Sequence, residues 1–258
     1  MKLSARKLFS ILLILLFSLT SFSLSAADSD GTINYFLPMA DDEYYAAFCK
    51  HVFDGGSLEE AIVLYDNLEK SFESADYPQW MEDAALARAS CIIGRYCIQI
   101  DKKANKEMAR EYMRRADELI ALSREHGAPE SVSGVVEALA TSFWYLVDGS
   151  LSMGMKFPGL VNKLYKNYPE DFHVLLISAD RYLQSPPIAG GNKSKGLRFF
   201  QQAERVMEGC SDWDRFTIYS GLALGYEEQD NHEEAVKYAK MAYSIYTADA
   251  TVNKILSI

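Results

Sequence analysis

From Asp41 onward the apolar positions of this chain recur at intervals of three and four. Tyr45, Phe48, Cys49 and Val52 form one stripe, and Ala61, Ile62, Tyr65 and Leu68 form the next. That interval returns side chains to the same face of an α-helix on successive turns, whereas a strand alternates its faces every second residue. The pattern therefore predicts amphipathic helices, and no convincing strand is found. Breakers interrupt it at Gly55-Gly56, Tyr77-Pro78, Gly127-Ala128-Pro129, Pro169, Ser185 to Asn192 and Gln229 to Asn231. About ten helical segments lie between them, paired by short turns. Asp41-Asp42 and Ser57 stand where helices begin, as residues whose side-chain oxygens can accept from the first free backbone amides.

The offsets between bulky and small residues also repeat. Tyr219, Leu222, Ala223 and Tyr226 on one helix are followed by Ala235, Ala239 and Ala242 on the next; Tyr45, Phe48, Cys49 and Val52 are followed by Ala61, Tyr65 and Leu68. Small residues let two antiparallel helices approach closely, and large ones fill the space towards the next pair. With Gly56-Ser57-Leu58-Glu59-Glu60-Ala61 and Asp230-Asn231-His232-Glu233-Glu234-Ala235 at the turns, the chain resembles the tetratricopeptide repeat over residues 41–247. Middle units are looser: Leu175, Ser178, Ala179 and Tyr182 pair with Gly196, Phe200 and Ala203, and Trp80 to Ile100 pairs with Asn105 to His126. The resemblance implies an all-α, right-handed superhelical stack of about five helical hairpins, an α-solenoid, with residues 248–258 as a capping helix.

Composition and charge narrow the class. Of 258 residues, 49% are hydrophobic and 24% charged, which excludes a disordered or low-complexity chain. A formal net charge of -10 repels phosphate backbones, so no nucleic-acid partner is expected. The start of the chain differs from the rest. Lys2, Arg6 and Lys7 precede an apolar stretch from Leu8 to Leu19, and Ser25-Ala26-Ala27 offers the small residues that a signal peptidase reads. Residues 1–27 are expected to be a secretory signal, residues 28–40 a linker, and residues 41–258 one helical domain. The apolar stretch falls short of the roughly 20 residues of a membrane span, so any membrane association would run through an uncleaved signal. The mature protein is expected to be exported, in a periplasm or secreted.

Candidate chemistry is sparse. Cys91 and Cys97, six residues apart on one helix, rise by about 9 Å, beyond disulfide reach; with Cys49 and Cys210 they read as small buried hydrophobes. No CxxC, HExxH or GxSxG occurs, and His51, His126, His173 and His232 are scattered. Asp212-Trp213-Asp214 places two acids around an aromatic, as a glycosidase would, but a helix cap at Asp212 and a packing tryptophan account for the same residues. The expectation is a non-enzymatic protein without catalytic residues, cofactor or metal.

Two features point to binding. The loop Ser185 to Lys193, with Pro186, Pro187, Gly190 and Gly191, is a turn with Asn192 capping the next helix; it resembles the extended turn of the helical-repeat T components associated with TRAP-type transporters. That resemblance implies an accessory subunit working beside a solute-binding protein. The repeat resemblance implies a concave face lined by first helices, which would carry Lys50, Phe53, Tyr145, His173, Leu176, Asp180, Leu183, Leu224 and Glu227. The mixture of apolar, aromatic and acidic groups suits another envelope protein, or alternatively a hydrophobic small molecule or lipid held between the helices.

Overall fold

The structure, a computed structural model, describes residues 42–73 and 76–258. The expected signal and linker, residues 1–40, lie outside the described residues. Eleven α-helices occupy the described part, with no strand among the described residues. They are α1 (Glu43–Phe53), α2 (Leu58–Glu73), α3 (Gln79–Asp101), α4 (Lys106–Glu125), α5 (Glu130–Asp148) and α6 (Leu151–Asn167), then α7 (Phe172–Gln184), α8 (Lys193–Glu204), α9 (Asp212–Glu227), α10 (His232–Tyr243) and α11 (Ala250–Leu256). A single 3₁₀ turn, Pro187–Ala189, lies in the loop between α7 and α8.

Each odd-numbered helix packs against the even-numbered helix that follows it, and the short turns between them make these antiparallel pairs: α1 with α2, α3 with α4, α5 with α6, α7 with α8, and α9 with α10. From α3 onward, odd-numbered helices also touch the next odd-numbered helix, so α3, α5, α7, α9 and α11 form a continuous row. The periodic stripes end up inside. Tyr45, Phe48, Cys49 and Val52 are buried on α1, and Ala61, Tyr65 and Leu68 on α2, all within one apolar core that reaches Val252 and Ile255 of α11.

Close helix approach explains the small residues. Ala203, Ala235, Ala239 and Ala242 are fully buried. A Cβ added at Gly196 of α8 would sit 2.8 Å from the Leu183 backbone nitrogen and 3.1 Å from the Ala179 carbonyl oxygen, so only hydrogen fits where α8 crosses α7. Replacing Ala235 by leucine inserts three carbons into that kind of contact. The expected loss of stability is about 1–3 kcal/mol in urea denaturation, and an unchanged midpoint would contradict the tight α9–α10 contact.

Capping follows the polar residues at the helix starts. Asp42 accepts from the Tyr45 amide at 2.8 Å, Asn192 from that of Lys195 at 2.9 Å, and Asp249 from those of Thr251 and Val252 at 2.9 Å and 2.8 Å. One start differs from expectation. Ser211, not Asp212, caps α9: its hydroxyl accepts from the Asp214 amide at 3.2 Å, while Asp212 is the first helical residue and pairs with Arg215 one turn on. The Ser211 hydroxyl in turn donates to the Asp214 carboxylate at 2.8 Å, so cap and carboxylate hold each other.

Candidate functional site

Three helices of the odd-numbered row build a buried polar cluster. Arg88 on α3 donates to Asp214 on α9 at 2.9 Å, and the Nε2 atom of His173 on α7 lies 3.6 Å from the other Asp214 oxygen. All three side chains are almost fully buried. Burial by itself would raise the Asp214 pKa, but the positive Arg88 beside it, helped by His173, holds the carboxyl well below the usual carboxylate range. The Arg88 guanidinium also lies 4.4 Å over the Trp213 ring, a cation–π contact. Asp214 is thus committed to an ion pair and Asp212 to Arg215, so the two acids around Trp213 do not face a common substrate position.

Phe53, at the end of α1, completes this region. Its ring stacks on Trp213 at 6.0 Å between centroids and also meets Phe216 and, at 5.1 Å, Tyr246. The neighbouring Asp54 accepts from the amide and hydroxyl of Thr247 at 2.7 Å and 3.0 Å. The first helix is therefore fastened to the last part of the chain. Cysteines add no reactivity here: all four are free and buried, and burial pushes the Cys49 and Cys210 thiols up to about 12 and Cys97 up to about 11. Among the described residues no group of three or more His, Cys, Asp or Glu is arranged to hold a metal ion.

The residues expected on one concave face are placed in three different settings. His173, Leu176 and Leu183 are buried, and Phe53 is spent on internal aromatic packing. Lys50 and Glu227 are solvent-exposed and pair locally, Lys50 with Asp54 at 2.7 Å and Glu227 with His232 at 3.0 Å. Tyr145 is exposed, while Asp180 and Leu224 are half-buried. The loop residues form a structural turn. Pro187 opens the 3₁₀ turn, Gly190 has a positive φ of 81°, and the Asn192 amide donates back to the Tyr182 carbonyl at 2.8 Å. Lys193 and Lys195 then point home, to the Leu183 carbonyl and the Tyr182 hydroxyl, both at 2.7 Å. Pro186 caps the turn, and a Cβ at Gly191 would collide with the Ser185 carbonyl.

A different surface stands out as available. Helix α6 has 17 residues and buries only Val161 and Leu164, yet its first half carries Leu151, Met153, Met155 and Phe157. Leu151 and Met155 are 75% and 76% exposed. The patch continues onto neighbouring helix ends. The exposed Tyr145 ring lies against Gly154, and the carbonyl of exposed Leu146 accepts from the Lys102 side chain, just past the end of α3, at 2.8 Å. A charged rim borders it, where Asp148 pairs with Arg110 at 2.7 Å and Lys106 at 3.6 Å. Apolar surface gathered on one element and edged with charge is how many protein-docking sites are built.

The structure thus sets the exposed Tyr145 ring against Gly154 of α6, and brings His173 together with Arg88 and Asp214. The sequence reading missed Arg88 and Asp214 as partners because 126 residues separate them. It did not single out the exposed first half of α6, because Leu151, Met153, Met155 and Phe157 do not follow the three–four interval. Comparison with family models, with curated proteins and with solved structures gave no match to this chain.

Proposed function

We propose that this protein is an exported, non-enzymatic helical-repeat scaffold that docks another envelope protein through the apolar face of α6. The observation that carries the reading is the contrast within that helix between its many apolar side chains and its two buried ones. The helix is also intrinsically poor. Gly154 and Gly159 each disfavour helix by about 1 kcal/mol relative to alanine and Pro158 by about 3 kcal/mol, so contacts rather than propensity must hold it. A partner covering Leu151 and Met155 would supply such contacts. The small-residue spacing of the helical pairs and the proline–glycine turn before α8, which resemble tetratricopeptide repeats and TRAP-associated T components, support a solute-binding protein as that partner, with the helical pairs stacked as a solenoid.

The test substitutes Leu151→Asp and Met155→Asp together. Both side chains are largely in solvent, so unfolding stability should move by no more than about 0.5 kcal/mol. Affinity capture from the native envelope fraction is expected to recover one partner with the unaltered protein and to lose it with the double variant. Equal capture by both proteins would reject α6 as the interface, and no captured protein at all would reject the scaffold role.

A further inference from the structure

The outward side of α6 is apolar at one end and basic at the other. A helix turns by about 100° per residue, so Leu151, Met155, Gly159 and Lys166 fall within about 80° of one another, with Lys156 and Lys163 beside them. All six are exposed, and the two buried residues, Val161 and Leu164, lie on the other side. The helix carries three lysines and no acid, in a chain whose formal net charge is -10. From Met155 to Lys166 it rises about 16 Å. Between them a Cβ added at Gly159 would meet nothing within 4 Å, so another molecule can approach the backbone there.

The acids around these lysines leave positive charge to spare. Glu137 on α5 is shared between Lys156 at 3.0 Å and Arg124 of α4 at 2.6 Å. Asp117 also feels Lys156, but it accepts from the Trp144 indole at 2.9 Å. Lys163 pairs with Glu130 at 3.3 Å, and these side chains are 67% and 65% exposed, so water screens the pair and it is readily exchanged for another. Lys166 has no carboxylate within 4.0 Å among the described residues.

We propose that the partner docked on α6 is a folded protein with an acidic surface: an apolar hollow receives Leu151 and Met155, and aspartates or glutamates further along meet Lys163 and Lys166. This inference rests on the docking role proposed for α6 and names the chemistry of its partner. Charge complementarity of this kind steers encounter and fixes the register of the two surfaces. A second copy of this chain, packed on the same helix about a two-fold axis, would set lysine against lysine, so a self-complementary interface is disfavoured. An anionic lipid surface would match the charge, but the buried side of α6 is already spent inside the protein. Lipid would receive from this helix only Leu151 and Met155 in place of the whole apolar face that an interfacial helix inserts.

Zero-length carbodiimide coupling of the full chain in the native envelope fraction is the direct test, because it joins an amine to a carboxylate only where the two already touch. Mass spectrometry is expected to find Lys163 or Lys166 joined to an aspartate or glutamate of one second protein. The yield of that conjugate should fall at least about 5-fold when NaCl rises from about 50 mM to about 500 mM, since salt shortens the reach of exposed charges. Lys163→Glu together with Lys166→Glu should lower capture of the same protein at least about 10-fold. Circular dichroism checks the fold of that variant, and Lys163→Gln with Lys166→Gln carries the test if the reversal does not fold. Capture that is lost in Leu151→Asp with Met155→Asp but unchanged in the folded lysine variants would overturn the acidic partner and leave the docking role standing. Capture indifferent to both pairs would remove α6 as the interface. No conjugate at these lysines, a cross-linked dimer of this chain, or binding to phosphatidylglycerol vesicles in place of a protein would each overturn the assignment.

Discussion

Replacing Asp214 by asparagine is expected to remove about 3–5 kcal/mol of unfolding free energy, the cost of leaving the Arg88 charge buried without its counter-ion. Removing the charge as well should restore much of it, so Arg88→Met in the same chain is expected to be more stable than Asp214→Asn alone, as in other cases where a buried ion pair is exchanged for apolar groups. The pH dependence has a fixed sign. The folded-state pKa of Asp214 is depressed, so its contribution is complete above the unfolded carboxylate value of about 3.9 and disappears as pH falls through the lower folded value. The stability gap between wild type and Asp214→Asn should accordingly be constant near neutrality and shrink in acid. Urea denaturation of the two proteins across that range measures it; a gap that widens in acid would show that Asp214 is not the group held ionised by Arg88.

The same residues show which parts of the molecule could be read from sequence. Helices were legible because burial on one face imposes the three–four interval directly on the residues: the segment expected from Trp80 to Ile100 is helix Gln79–Asp101, and that expected from Asn105 to His126 is helix Lys106–Glu125. The close approach of consecutive helices was legible in Ala235, Ala239, Ala242 and Gly196. Partnerships across the row were not, since nothing in the local pattern around Arg88 distinguishes an arginine that will be buried from one that will be solvated. Helix α6 illustrates the opposite failure. Leu151, Met153, Met155 and Phe157 fall at every second position, and on a helix that spacing spreads side chains around the axis, with successive members about 200° apart. Several of them must then face outward, and that outward-facing set is the feature from which the docking surface is argued.

Phe53 turns the same question into a measurement, because the repeat resemblance places it on a ligand-binding face and the structure places it against Trp213, Phe216 and Tyr246. Phe53→Ala should destabilise the protein by about 3 kcal/mol, towards the lower end for a phenylalanine truncation because the ring is only partly buried. A double-mutant cycle with Trp213→Leu should return a coupling of about 0.5–1.5 kcal/mol, the size expected of a stacked aromatic pair. A side chain waiting for a ligand would show neither effect in the free protein and would lose ligand affinity instead. Since the Phe53 contacts and the Asp54–Thr247 bonds are what tie α1 to the distant end of the chain, losing the ring should also release that helix first. Hydrogen exchange should then speed up in residues 43–53 ahead of α3 and α4, whose buried faces do not depend on Phe53. Uniform acceleration across all the helices would mean that α1 is part of the single cooperative unit and is not a separately docked end.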